Sequence, residues 1–226
     1  MSVDFERLDG LARRLMAGRK AHLQREVGSI YDHGRRVAAG VVALRQLVAP
    51  GEGALDGDLR VAAMFHDVGK GIEPHERYGA AIFREAARDV LDREAIDRAA
   101  ALILAHCDRR PNEPAHGPAA RLLQDADLLD HFGAYRVWMD VQYYAHTGEG
   151  ISALAKYLRE ECAPSMARHR AMLNFEQSIA IFDEKRRFTE GTVLTLEPFL
   201  STGATDVIEQ ADGWTLQTPN GELSAQ

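Results

Sequence analysis

The run Val61-Ala62-Ala63-Met64-Phe65 is continuously apolar and leads straight into a His-Asp pair, His66–Asp67. An apolar run of this kind reads as a central, buried helix over residues 58–68, with Asp58 as its N-cap. A histidine and a carboxylate at the end of a core helix are costly unless a partner compensates them, because burial strips their hydration. The fold therefore has to bring a partner to this point. Adjacent helical residues point about 100° apart. Both side chains reach one partner only if it lies against the helix itself.

Further histidines and acids stand in or beside helical segments. They are His33 in YDHGRRVA, His75 in HERYGA, His106 in LAHCD and Asp127 in QDADLLD. Imidazole nitrogen and carboxylate oxygen together suit a divalent transition metal: Mn, Fe, Co, Ni or Zn, with Mg less favoured by imidazole. A carboxylate also offsets the ion's charge in a partly buried site. Asp125 and Asp127 compete for one role, since two residues on a helix lie about 200° apart. Asp130 and His131 fall on the Asp127 side and read either as supports for a ligand or as a solvated face.

The rest of the chain bounds the reading. Residues 1–188 are rich in Ala, Leu, Arg and Glu, which favour helix. Apolar residues recur at helical spacing over 4–17 and 26–48, and further helices are expected at 76–90, 93–106, 119–131, 133–146, 150–161 and 164–187. From Thr189 the texture shifts to Thr, Gly, Val and Leu, and residues 213–223 read as a hairpin or extended segment. The expected organisation is a helical body, 1–188, and an acidic C-terminal appendage, 189–226. The formal net charge is −7, and the appendage supplies most of it with six acids and no Lys or Arg. This excludes a general nucleic-acid binder, which needs a basic footprint. It leaves a local positive site for an anionic substrate open. No apolar run is long enough to span a membrane. Two cysteines and the lack of an apolar leader in the first residues point to the cytoplasm.

The ordered set His33, His66-Asp67 followed by Gly69-Lys70, then Asp127 in an Ala-Asp step resembles the HD-domain metal-dependent phosphohydrolase superfamily. The resemblance covers residues 20–190 and reaches MARHRAMLNFEQSIAIF. It implies an all-α HD-domain helical bundle, here with a short irregular or hairpin C-terminal tail. It implies an ion held by His33, His66, Asp67 and Asp127, and it favours Asp127 over Asp125. In two-metal members, extra histidines bind a second ion with the HD aspartate bridging. His75 and His106 fit that place, or else they line a one-metal pocket as substrate-binding or proton-transfer groups. One or two ions are thus implied. Lys70, Arg109 and Arg110 are candidate phosphate holders, since guanidinium matches phosphate in a bidentate fork. Cys107 reads as packing, Cys162 as structural, and His116 and His146 as surface histidines. The implied activity is hydrolysis of a nucleotide or another small phosphate ester by metal-activated water, with Lys70, His75 and His106 orienting phosphate or moving protons. Two alternatives remain at this point: a di-iron oxygenase on the same scaffold, and a non-catalytic module that senses a ligand.

Overall fold

The structure, a computed structural model, describes residues 4–110, 115–201, 206–210, 213–218 and 221–225. The fold is all-α apart from a small antiparallel meander near the C-terminus. It divides into two compact units. One comprises Met1–His131 with His169–Asp183, and the other comprises Phe132–Arg168 with Glu184–Gln226.

The first unit is built on α2 (Ser29–Val48) and α3 (Asp56–Phe65), which cross closely. The crossing depends on Gly34, because a Cβ there would lie 2.5 Å from the carbonyl oxygen of Met64. His33 precedes this glycine and His66 follows α3, so the close approach sets the two imidazoles side by side. α1 (Phe5–Met16) packs on both helices, and Asp4 caps its start by accepting from the Arg7 amide at 3.1 Å. α4 (His75–Ala86), α5 (Arg93–Ala105) and α6 (Pro118–Asp130) complete the unit. Asp92 caps α5 and Pro118 opens α6, at the positions where each residue type favours a helix start. Leu59, Phe65, Phe83, Ile103, Leu122 and Leu123 have no exposure. Each contributes about 1.5–3 kcal/mol through burial.

The expected helix over 164–187 is two helices. α9 (Cys162–Arg170) stops, and α10 (Glu176–Ser201) begins after a turn. Asp125 explains the break. Its buried carboxylate accepts from the backbone amides of Asn174 at 3.0 Å and Phe175 at 3.2 Å, just before α10. These donors would otherwise be orphaned at a helix start. The expected division at 188/189 falls inside α10, which continues unbroken to Ser201.

The second unit contains α7 (Ala134–Thr147) and α8 (Gly150–Glu160), joined across a left-handed Gly148 with φ 75°. Arg136 pairs with Asp140 one turn on at 2.9 Å and also donates to the Tyr157 hydroxyl. Strands β1 (Asp206–Gln210), β2 (Gly213–Thr218) and β3 (Gly221–Ala225) form the meander, with Glu209 opposite Trp214 and Leu216 opposite Leu223. The expected hairpin at 213–223 corresponds to β2 and β3. Among the described residues, no helix is long and apolar enough to cross a membrane.

The α2–α3 crossing gives a paired prediction. Gly34→Ala should lower stability by about 1–3 kcal/mol in chemical denaturation, as overpacking does. Gly40→Ala on the same helix, where a Cβ meets nothing within 4 Å, should raise it by about 0.5–1 kcal/mol through helix propensity. Equal effects at the two positions would contradict the close crossing.

Candidate functional site

Four histidines turn their Nε2 atoms toward the carboxylates of Asp67 and Asp127. Each ring is fixed from behind through Nδ1. His33 Nδ1 lies 2.8 Å from Asp130 Oδ2, and His66 Nδ1 is 2.7 Å from the Ala63 carbonyl oxygen. His106 Nδ1 is 2.6 Å from the Ile103 carbonyl oxygen, and His75 Nδ1 is 3.3 Å from Glu73 Oε2. Acceptors at Nδ1 hold the proton there and leave Nε2 with a free lone pair, the arrangement a metal-ligating imidazole requires.

The Nε2 atoms fall into two neighbouring groups. In the first, His33 Nε2 is 3.1 Å from His66 Nε2 and 3.0 Å from Asp127 Oδ1, while His66 Nε2 is 3.5 Å from that oxygen. Asp67 Oδ1 stands 3.9 Å from His66 Nε2. In the second, His75 Nε2 and His106 Nε2 are 3.3 Å apart and lie 3.3 Å and 3.7 Å from Asp67 Oδ1. Asp67 thus stands between the groups. Bonds near 2.1 Å to a common ion place neighbouring donors roughly 3.0–3.4 Å apart. The residues therefore fit a bound divalent ion. Asp125 faces away, onto Asn174 and Phe175, and is not part of either group.

The local chain explains how these side chains converge. His66 and Asp67 lie beyond the last residue of α3, in a tight turn rather than on the helix. Gly69 permits the turn, because a Cβ there would be 2.3 Å from the His75 carbonyl oxygen and 2.5 Å from the Gly79 nitrogen. Arg19 ties the turn down by donating to the carbonyl oxygens of Val68 at 2.7 Å and Lys70 at 2.6 Å. His106 follows the last residue of α5, and His75 is the first residue of α4.

The candidate substrate groups divide. Arg109 Nη2 lies 2.5 Å from Asp127 Oδ2 and 3.2 Å from the Gln124 carbonyl oxygen, and its buried Nε has no acceptor among the described residues. Lys70 Nζ is 3.5 Å from Asp67 Oδ1. Arg110 instead pairs with Asp108 at 2.7 Å, as does His116 at 2.9 Å, so Arg110 is drawn away from Asp127. Arg36, which the sequence did not single out, also takes part, together with Asp130 and His131, the pair read as supports or a solvated face. Arg36 grips Asp130 through Nε at 2.9 Å and Nη2 at 2.8 Å. His131 Nε2 is 3.5 Å from Asp127 Oδ1. Cys107 Sγ is 3.2 Å from His106 Nε2 and 3.4 Å from His75 Nε2, a position that the packing assignment missed.

Charge explains the protonation pattern. Burial pushes Asp67 up, but His66, His106, His75 and Lys70 outweigh it and hold it well below the usual carboxylate range. Asp127 behaves alike under His131, His33 and His66. In return, burial opposes protonation of His33, yet hydrogen bonds to Asp127 and Asp130 raise it from 6.5 to about 9. Asp67 lifts His75 to about 10, and it does the same for His106 against the opposing effect of burial. Burial likewise pushes the Cys107 thiol up, and His106 and His75 outweigh it, bringing it down to about 7.

Comparison with known proteins places this arrangement. The HD domain family model matches residues 30–131, a span that contains His33, His66, Asp67, His75, His106 and Asp127. That part of the chain is similar to the HD domain family. The fold is shared with Bacillus subtilis YpgQ, whose structure is a complex with ADP, at a TM-score of 0.59 and 18% identity, covering 85% of this chain and 97% of that one. It is shared also with a predicted HD superfamily hydrolase from an uncultured Thermotogales bacterium, at a TM-score of 0.55 and 15% identity over 88% and 92% of the two chains. Separately, 39 residues are 51% identical to methionine aminopeptidase 2 of Bacillus subtilis and 39 are 44% identical to the methionine aminopeptidase of Aquifex aeolicus. That match covers 17% of this chain and only 16% and 15% of those enzymes' lengths.

The raised histidines set a pH dependence. The proton on His33 favours the folded metal-free protein fully below pH about 6.5, and this contribution is lost as pH rises through about 9. A metal needs the neutral ring, so binding gains over the same window. Thermal denaturation of metal-free protein should show a falling Tm between these pH values, and the rise in Tm on adding Mn(II) should grow. A metal-induced rise that shrinks with pH would mean that the ring nitrogens are not the ligands.

Proposed function

We propose that the chain is a metal-dependent phosphohydrolase acting on a nucleotide or another small phosphate ester. The observation that carries this reading is the convergence of Nε2 atoms, each set by an Nδ1 partner, on two buried carboxylates beside two cations. His33, His66, Asp67 and Asp127 would hold one divalent ion. Such an ion, once bound, polarises phosphoryl oxygens and lowers the pKa of bound water.

The chain's own residues supply the rest. Asp130 keeps the His33 proton on Nδ1, and the Ala63 carbonyl does so for His66. Arg109 rests on Asp127 with a buried, unpartnered Nε, so a phosphoryl oxygen can complete its hydrogen bonding. Lys70 stands at the outer side of Asp67, where its ammonium opposes the charge that develops on a leaving phosphate. His75 and His106 lie across Asp67, either sharing a second ion with it or holding phosphate and passing a proton from Nε2. The ADP held by YpgQ supports a nucleotide as the substrate class. The absence of a membrane-crossing helix among the described residues accords with a cytoplasmic setting.

His33, His66-Asp67, His75, His106 and Asp127 also follow the order His, His-Asp, His, His, Asp of HD-type di-iron oxygenases, and the contact of His75 and His106 with Asp67 favours that as the second reading. Iron content and dioxygen consumption separate the two.

Purified protein should hydrolyse members of a nucleoside phosphate panel in the presence of Mn(II). His66→Ala and Asp67→Ala should each cut turnover more than about 100-fold with the helical CD spectrum intact, since removing an outer partner alone costs about 10–100-fold. Asp130→Ala should fall within that smaller range. Full turnover in Asp67→Ala with metal still bound would overturn the proposal.

A further inference from the structure

We propose that Cys107 is a metal ligand, which makes the His75–His106 side of Asp67 a thiolate-bearing ion site unlike its neighbour. The inference rests on the metal-centre reading of Asp67 given above and deepens it, by assigning a donor that neither helix geometry nor the HD motif supplies.

The donors of His75, His106 and Cys107 form a tight triangle, with Asp67 Oδ1 against the two rings. Cys107 Sγ is 3.2 Å from His106 Nε2 and 3.4 Å from His75 Nε2. The two Nε2 atoms are 3.3 Å apart. Asp67 Oδ1 is 3.3 Å from the first of these rings and 3.7 Å from the second. Tetrahedral bonds of about 2.0–2.1 Å to nitrogen and oxygen and about 2.3 Å to sulfur place the donors roughly 3.3–3.6 Å apart. The measured separations bracket that range. His75, His106 and Cys107 fall within ligating distance of one another as a group.

Local chain geometry explains the alignment. α5 ends at Ala105, so His106 and Cys107 occupy a turn. His106 keeps helical dihedrals, and its ring and the Cys107 thiol meet against the end of α5. Cys107 is exposed, so the site can load from solvent.

The chemistry of the two donor sets differs. His33, His66 and Asp127 with Asp67 offer nitrogen and oxygen alone. The Cys107 site adds a soft thiolate, which selects Zn(II), Cd(II) or tetrahedral Co(II) over Mn(II) and Mg(II). Asp67, shared between them, would couple a borderline-soft ion to a harder one. Coordination deprotonates the thiol outright.

Co(II) reports this directly. Metal-free full-length protein titrated with Co(II) should bind two ions per chain by elemental analysis. It should develop a near-ultraviolet thiolate-to-cobalt charge-transfer band. Cys107→Ser should abolish the band and reduce the stoichiometry toward one, with the helical CD spectrum unchanged. His75→Ala, which leaves the thiol in place, should also lose the band. Cys162→Ser should retain it, because Cys162 is buried and belongs to the other compact unit. One bound ion with no charge-transfer band, or a band that survives Cys107→Ser, would overturn the Cys107 assignment and leave the phosphohydrolase reading standing. No bound Co(II) at all would overturn both.

Discussion

Asp67 and Asp127 are each only 7% exposed, and both are ionised among charged partners. A buried carboxylate carries a desolvation penalty of several kcal/mol, which only close, well-aligned positive charge or donors repay. Much of the first unit serves that need. His33 and His66 approach because Gly34 lets α2 meet the α3 backbone. His75 approaches because Gly69 lets the turn after α3 pack on α4. Lys70 and Arg109 close the outer side of the same carboxylates.

In the metal-free state, protons do part of a cation's work, so His33, His75 and His106 hold theirs far more tightly than ordinary imidazoles. An ion that binds must displace those protons. Site occupancy, protonation and folding stability are then one linked equilibrium. Removing a carboxylate, by contrast, strands several imidazoles at once.

Much of this was legible in the sequence. The apolar run into His66–Asp67 signalled a buried polar point, and the helical periodicities placed most elements within a few residues. The converging groups come from residues that chemistry singled out, His33, His75, His106 and Asp127, although it was the family resemblance that favoured Asp127 over Asp125. What escaped notice depends on contacts distant in sequence or on the ends of helices. Cys107 was read as packing, because nothing in its neighbours showed that the rings of both His106 and His75 would stand beside its thiol. The break between α9 and α10 has no glycine or proline to announce it, since its cap is Asp125, about fifty positions earlier. Arg109 carried a cation's signature, but nothing in its neighbours showed that Asp127 would hold it while Asp108 drew Arg110 aside.

The most direct measurement is anomalous diffraction from a crystal loaded with Mn(II). The account predicts a peak about 2.0–2.3 Å from His33 Nε2, His66 Nε2 and carboxylate oxygens of Asp67 and Asp127, as metal–ligand bonds require. A peak elsewhere, or these four side chains more than about 6 Å from any common ion, would contradict it, since no bridging bond spans that distance.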